Sequence, residues 1–488
     1  MNQQFSPWAR ALVVVLVSVG LSAAIGGCTT ARIPATSLEV PLLDIPLPAM
    51  LRGQNDLRSR SWTKAFVILH ERMKREYAYS AVKEMDWDAL YTHYSSEVLA
   101  AEETKNRDAW YRALRGYVHS IPDGNVQIDL NESLRAMEEG ASAGLALAQL
   151  ADGQVIVSGL VPDGPAAAAG MAWGAEVLAW NDKPILEALE STSLFWTDAP
   201  AATLSVRREQ QLTWLPRGAA GEACRVVFKN PGAAAETSVT VKLAPDDYKT
   251  LSLYRPLWSP VELFSSPVVS RSIGDDLHYI RLAAIAPTLS TPFPQRDFRN
   301  AVRAAIDGEA AGLVLDLRGT QGGDATLVPK LLGCLVEEAS FYEMPGIWNA
   351  TQETFVADPA GAITLAPQVP FYTGPLVVLV DGYTMGPAES FARFLQAREN
   401  VRVCGLSGTY GSPGVPSVEL TLPGGYVIYY PDRQALDEAG VAMGVANRAG
   451  EGNVTPDLAV ALDAFTAAAI YQDGEDKVLE AALEALGN

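Results

Sequence analysis

PLVVLVDGYTMGPAESFARFL, residues 375–395, decides the fold of this chain. A run of apolar β-formers ends at Asp381-Gly382, and a helix is predicted to begin at Pro387. Gly386 stands at its cap, Pro387 at its first position and Glu389 in its first turn, all favourable for a helix start. A strand that turns sharply into a helix is an elbow, the element on which many hydrolases carry a nucleophile. The tip here reads Thr384-Met385-Gly386-Pro387. From about residue 250 onward such strands alternate with helical patterns ("LHYIRLAAI", "FRNAVRAAIDG", "AGLVLDLRG", "VRVCGLS"). That alternation predicts an α/β core of parallel strands over 250–488.

Upstream the chain changes character several times. Arg10 precedes the apolar run "ALVVVLVSVGLSAAIGG", which ends at Cys28. Gly26 and Gly27 before a cysteine resemble a bacterial lipoprotein lipobox, which implies a signal peptide over 1–27 and a lipid on Cys28. A plain secretory signal or an uncleaved anchor would show the same apolar run. Thr29 after the cysteine implies, by the same resemblance, the outer membrane and a periplasmic location. Prolines 34, 41, 46 and 48 make 28–55 an extended tether. Over 56–135, apolar residues recur at three and four spacing in "WTKAFVILHERMKREYAY", "DWDALYTHYSSEVLAA" and "RDAWYRALRGYVHSI". This predicts a small helical domain, with Asp86 and Asp88 at a helix start.

Residues 140–245 turn to strands ("AGLALAQL", "GQVIVSGLV"), followed by "PDGPAAAAGMAWGAEVLAWNDKPI". The Pro-Ala helix and the Gly turn resemble a PDZ domain, although Gly174-Ala175 and Asn181-Asp182 replace two of its usual pairs. PDZ domains bind peptide C-termini by adding a strand beside a carboxylate-holding loop. The resemblance places that loop at Gly144, Leu145, Ala146 and Leu147, with 190–222 as an inserted loop that covers or reshapes the groove. The same fold also serves as a plain spacer.

Net charge is −20 at neutral pH. That argues against nucleic acid as a partner, since it requires basic patches. Four histidines in the whole chain and no CxxC spacing point away from a metal, and nothing implies a cofactor. Beyond Cys28 the cysteines are Cys224, Cys334 and Cys404, which permit at most one internal disulfide. The helical pattern around Cys334 and the strand pattern around Cys404 read as buried free thiols.

Several motifs together resemble one family. "AGLVLDLRGTQGGD" (311–324) is similar to the Asp-Leu-Arg-Gly-Asn-x-Gly-Gly signature of the C-terminal processing, or tail-specific, serine peptidases. "SIPDGNVQI" (120–128) resembles the Asp-Gly-His element of their tricorn-like branch, and "GEGNVTPDLAV" (450–460) the family's closing motif. The order of helical domain, PDZ and core also agrees. The resemblance implies a multidomain α/β protein with a crotonase-like spiral ββα core, and acyl transfer by a serine three residues before a glutamate. Counted back from Glu389, that serine position is Gly386, which has no side chain. The next residue normally donates an oxyanion N–H, and here it is Pro387, which has none. Gly322 and Gly323 occupy the other oxyanion positions. The tricorn-like histidine position is Asn125, and the lysine position falls near Gly411 or Ser412. Glu451 matches an acidic residue that would orient an absent base. Displaced nucleophiles, Ser390 or Thr384, have no base near them in sequence; Lys183 and Lys330 lie in other elements.

The sequence therefore describes a lipid-anchored pseudopeptidase that binds peptide or protein C-termini, or scaffolds a partner. The alternative is an active serine endopeptidase with a displaced nucleophile. The anchor is directly testable. Labelled palmitate is expected in the wild-type protein and absent from Cys28→Ala, and equal labelling of both removes the lipoprotein reading.

Overall fold

The computed structural model describes residues 55–254, 267–274, 276–288, 291–450 and 452–487. The signal segment, Cys28, nearly all of the tether and Glu451 lie outside them. Among the described residues no helix is long and apolar enough to cross a membrane.

Three helices lead: α1 (Trp62–Glu76), α2 (Trp87–Thr104) and α3 (Arg107–His119). Asp86 caps α2, its side chain accepting from Ala89 N at 2.9 Å, as its position predicts. The helices do not close a core of their own. Phe66, Leu69, Trp110 and Tyr117 pack in one apolar cluster with Leu420, Leu422, Ile428 and Tyr430 from a hairpin late in the chain. The predicted helical domain thus shares its core with sequence more than 300 residues away, and Gly53–Asn488 form a single compact unit.

Five antiparallel strands follow: β1 (Leu145–Gln149), β2 (Val155–Leu160), β3 (Glu176–Trp180), β4 (Ala223–Lys229) and β5 (Thr237–Lys242), paired in that order. Between β3 and β4, where a loop was predicted over 190–222, the chain instead forms helix α4 (Leu204–Trp214). Its buried face carries Gln210, Gln211 and Thr213 beside Val206 and Leu212, so apolar periodicity is missing from the sequence. Thr203 caps it by accepting from Val206 N at 3.2 Å.

The core sheet has the order β6 (Val268–Ile273), β7 (Leu277–Leu282), β8 (Gly312–Asp316), β9 (Leu376–Leu379), β10 (Val401–Gly405) and β11 (Leu458–Ala459). The β6–β7 pair is antiparallel and the rest are parallel. Alternate residues point to opposite faces. Leu313, Leu315 and Val378 pack on one face against α5 (Pro294–Asp307) and α6 (Pro387–Gln396), through Phe298, Val302, Phe391 and Leu395. Val314, Val377 and Leu379 pack on the other with Val478 and Ala482 of α7 (Lys477–Gly487). Burial on both faces explains why these strands read as continuous apolar runs. Cys224, Cys334 and Cys404 are buried free thiols, as expected. Burial pushes Cys224 up to about 12, and Cys334 and Cys404 up to about 11.

The Asp-Leu-Arg-Gly stretch at the end of β8 closes this sheet onto the C-terminus. Arg318 donates to both oxygens of buried Asp316 (2.6 and 3.0 Å) and to both of Asp476 (2.7 and 2.8 Å), just before α7. Arg318 N (3.0 Å) and Tyr279 OH (2.8 Å) also donate to Asp316. Breaking a buried pair strands its partner, at about 3–5 kcal/mol. Arg318→Ala is expected to lower folding stability by about that amount in urea unfolding. Asp476→Ala is expected to cost less, because its side chain is 23% exposed.

Candidate functional site

The elbow forms where the sequence places it. β9 ends at Leu379, and α6 begins at Pro387 with Gly386 as its cap residue. Asp381 shapes the intervening turn by accepting from Gly319 N (2.9 Å), Tyr383 N (3.0 Å) and Thr384 Oγ1 (3.1 Å). Gly386 has φ +65° and ψ −130°, a conformation strained for any residue with a Cβ. The space beside it is nevertheless open. A Cβ there would meet only Gly322 Cα and N, both at 3.6 Å, an ordinary contact. The tip of the elbow is thus a glycine with a strained backbone, open space beside it and no side chain.

The positions predicted to be equivalent to a catalytic set do converge. Gly386 N donates to Ser412 O at 2.8 Å, and Gly386 bridges Pro413 in parallel register. Asn125 Nδ2 donates to Pro413 O at 2.8 Å, and Gly124 N donates to Ser412 Oγ at 2.8 Å. The 123–125 loop, the 411–414 loop and the elbow therefore meet at one place. Gly322 and Gly323 lie beside it, both with positive φ (+63° and +125°). A Cβ at Gly323 would strike Ile285 O at 2.6 Å, so that turn requires glycine whatever it binds. Pro387 N is packed against Gly414, where an added Cβ would lie 2.6 Å from it.

The two fallback hydroxyls are occupied and out of solvent. Ser390 is 1% exposed, and its Oγ accepts from Gly414 N at 3.0 Å. Thr384 is fully buried between Asp381 and Leu317 O (3.1 Å). Among the described residues Ser390 has no base as a partner, and the Asp381 carboxylate beside Thr384 is already engaged by Gly319 N and Tyr383 N.

Three groups were missed by the sequence reading, or read differently. Glu389 does not act chiefly as a first-turn charge on its own helix. It is fully buried and crosses to the opposite loop, accepting from Thr409 Oγ1 (2.5 Å), Gly411 N (2.8 Å) and Ser412 N (2.8 Å). Asp123 is fully buried, taking Tyr77 OH at 2.8 Å and Asn125 N at 2.9 Å. Lys83, 1% exposed, places its ammonium in the field of Asp123 and Glu389 with no hydrogen-bond partner among the described residues. Burial lowers its pKa, and the two carboxylates resist that shift. The sequence offered only the apolar setting of "YAYSAVKEM" as a sign that this lysine is interior. Among the described residues, no cluster of histidine, cysteine or carboxylate side chains could hold a metal.

Residues 276–460 match the peptidase family S41. The crystal structure of mature CPAF superposes with a TM-score of 0.62 at 13% identity, covering 86% of this chain and 95% of that one. The structure of mature CPAF complexed with lactacystin gives 0.61 at 14% identity, over 88% of this chain and 99% of that one. The photosystem II D1 C-terminal processing protease matches at 19% identity with a TM-score of 0.42, over 88% and 98% of the two chains. No curated protein matches in sequence.

The Glu389 carboxyl carries a pH signature. Burial, the largest influence, pushes it up to about 7 from the ordinary 4.5, against the pull of its three donors. The folded chain then holds a proton more tightly than the unfolded chain. This contribution is fully present below about 4.5 and is lost as pH rises through about 7. Urea unfolding at pH 5 and pH 8 is expected to show a wild-type decline that Glu389→Gln lacks, measured as the difference between the two proteins. An identical decline in both would assign it to other groups.

Proposed function

Residues 276–460 form a domain of peptidase family S41, and on that premise we propose that the chain is a catalytically degenerate member that holds polypeptide tails, or scaffolds a partner, instead of cutting. Gly386 carries this reading: the elbow has its strained backbone and open space but no attacking atom. An acyl transfer also needs a base and preorganised oxyanion donors. Asn125 cannot take a proton near neutral pH, and Pro387 has no N–H to offer. The two displaced hydroxyls are spent on structural hydrogen bonds.

Residues 140–245 serve in this proposal as a PDZ-like module for peptide C-termini. The lipid on Cys28 holds the protein in the cell envelope, on the outer membrane facing the periplasm. The family match supports binding of polypeptide, because the family matched over 276–460 is a peptidase family. Fold alone does not fix function, so the substituted site and not the likeness decides between binding and cutting.

The test is direct. Wild-type protein is expected neither to react with a fluorophosphonate probe nor to cleave a peptide it binds. Gly386→Ser is expected to stay inactive. It lacks a base and one oxyanion donor, the latter alone worth about 2.7–4 kcal/mol in hydrolases, and a serine there carries strain of about 1–3 kcal/mol. Adding Pro387→Ala and Asn125→His to Gly386→Ser is expected to do measurably better. Robust wild-type hydrolysis, lost in Ser390→Ala or Thr384→Ala, overturns the reading in favour of a displaced nucleophile.

A further inference from the structure

The groove beside β1 is where a PDZ-like module would take its peptide, and in this structure the chain's own residues 246–254 fill it. Lys249–Tyr254 form a 3-10 helix lying across β1 and β2. Tyr254 OH spans the groove, accepting from Leu147 N (3.2 Å) and donating to Leu212 O of α4 (2.9 Å). Leu253 sits on Gly159, where an added Cβ would meet it at 3.0 Å. In the expected carboxylate loop Leu147 N is therefore engaged, and Gly144 N is turned inward onto Ser142 Oγ at 3.0 Å.

A different residue is built to receive a carboxylate there. Arg217 pairs in register with Ser142, two residues before Gly144, and its side chain is 1% exposed. Its two terminal nitrogens grip Asp246 Oδ1 (2.7 Å) and Oδ2 (3.1 Å), one of them also donating to Thr250 Oγ1 (2.7 Å). Its Nε is fixed by Glu139 O at 3.1 Å. Asp246 Oδ2 also accepts from Thr250 N (3.1 Å), the kind of backbone donor a terminal carboxylate needs. The segment is held under strain. Asp247 and Tyr248, directly after the gripped carboxylate, both adopt left-handed backbone (φ +49° and +59°), which costs energy in residues bearing a Cβ. The groove also joins a cavity of about 650 Å³ whose walls include Leu147, Leu150, Leu212 and Tyr254, room for an apolar side chain.

We propose that Arg217 is the carboxylate receptor of this module, and that Asp246–Tyr254 is an internal ligand which a peptide with a free C-terminal carboxylate and an apolar last residue must displace. The inference rests on the tail-binding reading above and adds both the receptor residue and the gate.

The probe is such a peptide as the free acid, with its C-terminal amide as control. Wild-type protein is expected to bind the acid weakly. Asp246→Asn, which withdraws the competing carboxylate, is expected to bind the acid at least tenfold more tightly and the amide no better than before. Arg217→Lys in the Asp246→Asn background is expected to abolish that gain, because a single ammonium cannot replace the two-pronged grip. Equal acid binding in wild type and Asp246→Asn, or an equal gain for the amide, overturns the proposal. If Asp246→Asn does not fold, hydrogen exchange on the wild type decides. Saturating acid is expected to speed exchange at Thr250 and Leu147 relative to the amide, and unchanged exchange with bound acid overturns it. Cleavage of the probe by wild-type protein would instead sink the non-cutting reading and leave the Arg217 receptor standing.

Discussion

One carboxylate holds the candidate site together. Glu389 leaves its own helix and is spent on three donors of the 409–412 loop, in surroundings where an unmet charge would be very costly. Once that loop is fixed, Ser412 passes the register on. Its carbonyl takes Gly386 N–H and its hydroxyl takes Gly124 N–H. Pieces of chain from three distant parts of the sequence are thereby set against one another through a single side chain. Nothing in this tie uses a nucleophile, a base or an oxyanion donor. The framework therefore stands without any of the three.

The parts of this framework differ in how far sequence reveals them. The elbow was legible because it is local: a buried strand reads as an apolar run, and Gly386-Pro387 mark the helix start by their own conformational limits. The convergence of Asn125 and Ser412 on Gly386 was legible only through the order of family motifs, since they approach across more than 280 residues of chain. Helix α4 was hidden because its buried side uses Gln210, Gln211 and Thr213, whose pattern does not resemble a core face. The union of the leading helices with the hairpin at 417–431 was hidden for a different reason. An amphipathic helix announces that it needs a partner, and its own letters do not say which. Lys83 and Asp123 belong to the same class, their meaning arising only when the folded chain brings them to Glu389.

The apolar surroundings of Cys224, Cys334 and Cys404 have a consequence for how this chain meets oxidants. A thiol reacts as its thiolate, and burial keeps all three protonated far above neutral pH. The described fold contains no crosslink among them, so its stability owes nothing to the redox potential around it. Sensitivity returns when the chain opens and each sulfur regains the acidity of a free cysteine in water. Folding itself is then the antioxidant step. A molecule that completes it shields these three thiols from peroxide and disulfide exchange, whereas one delayed on the way exposes three sulfurs with no native bond to form among them. Oxidation of these three cysteines would thus report slow maturation and not an attack on the finished structure.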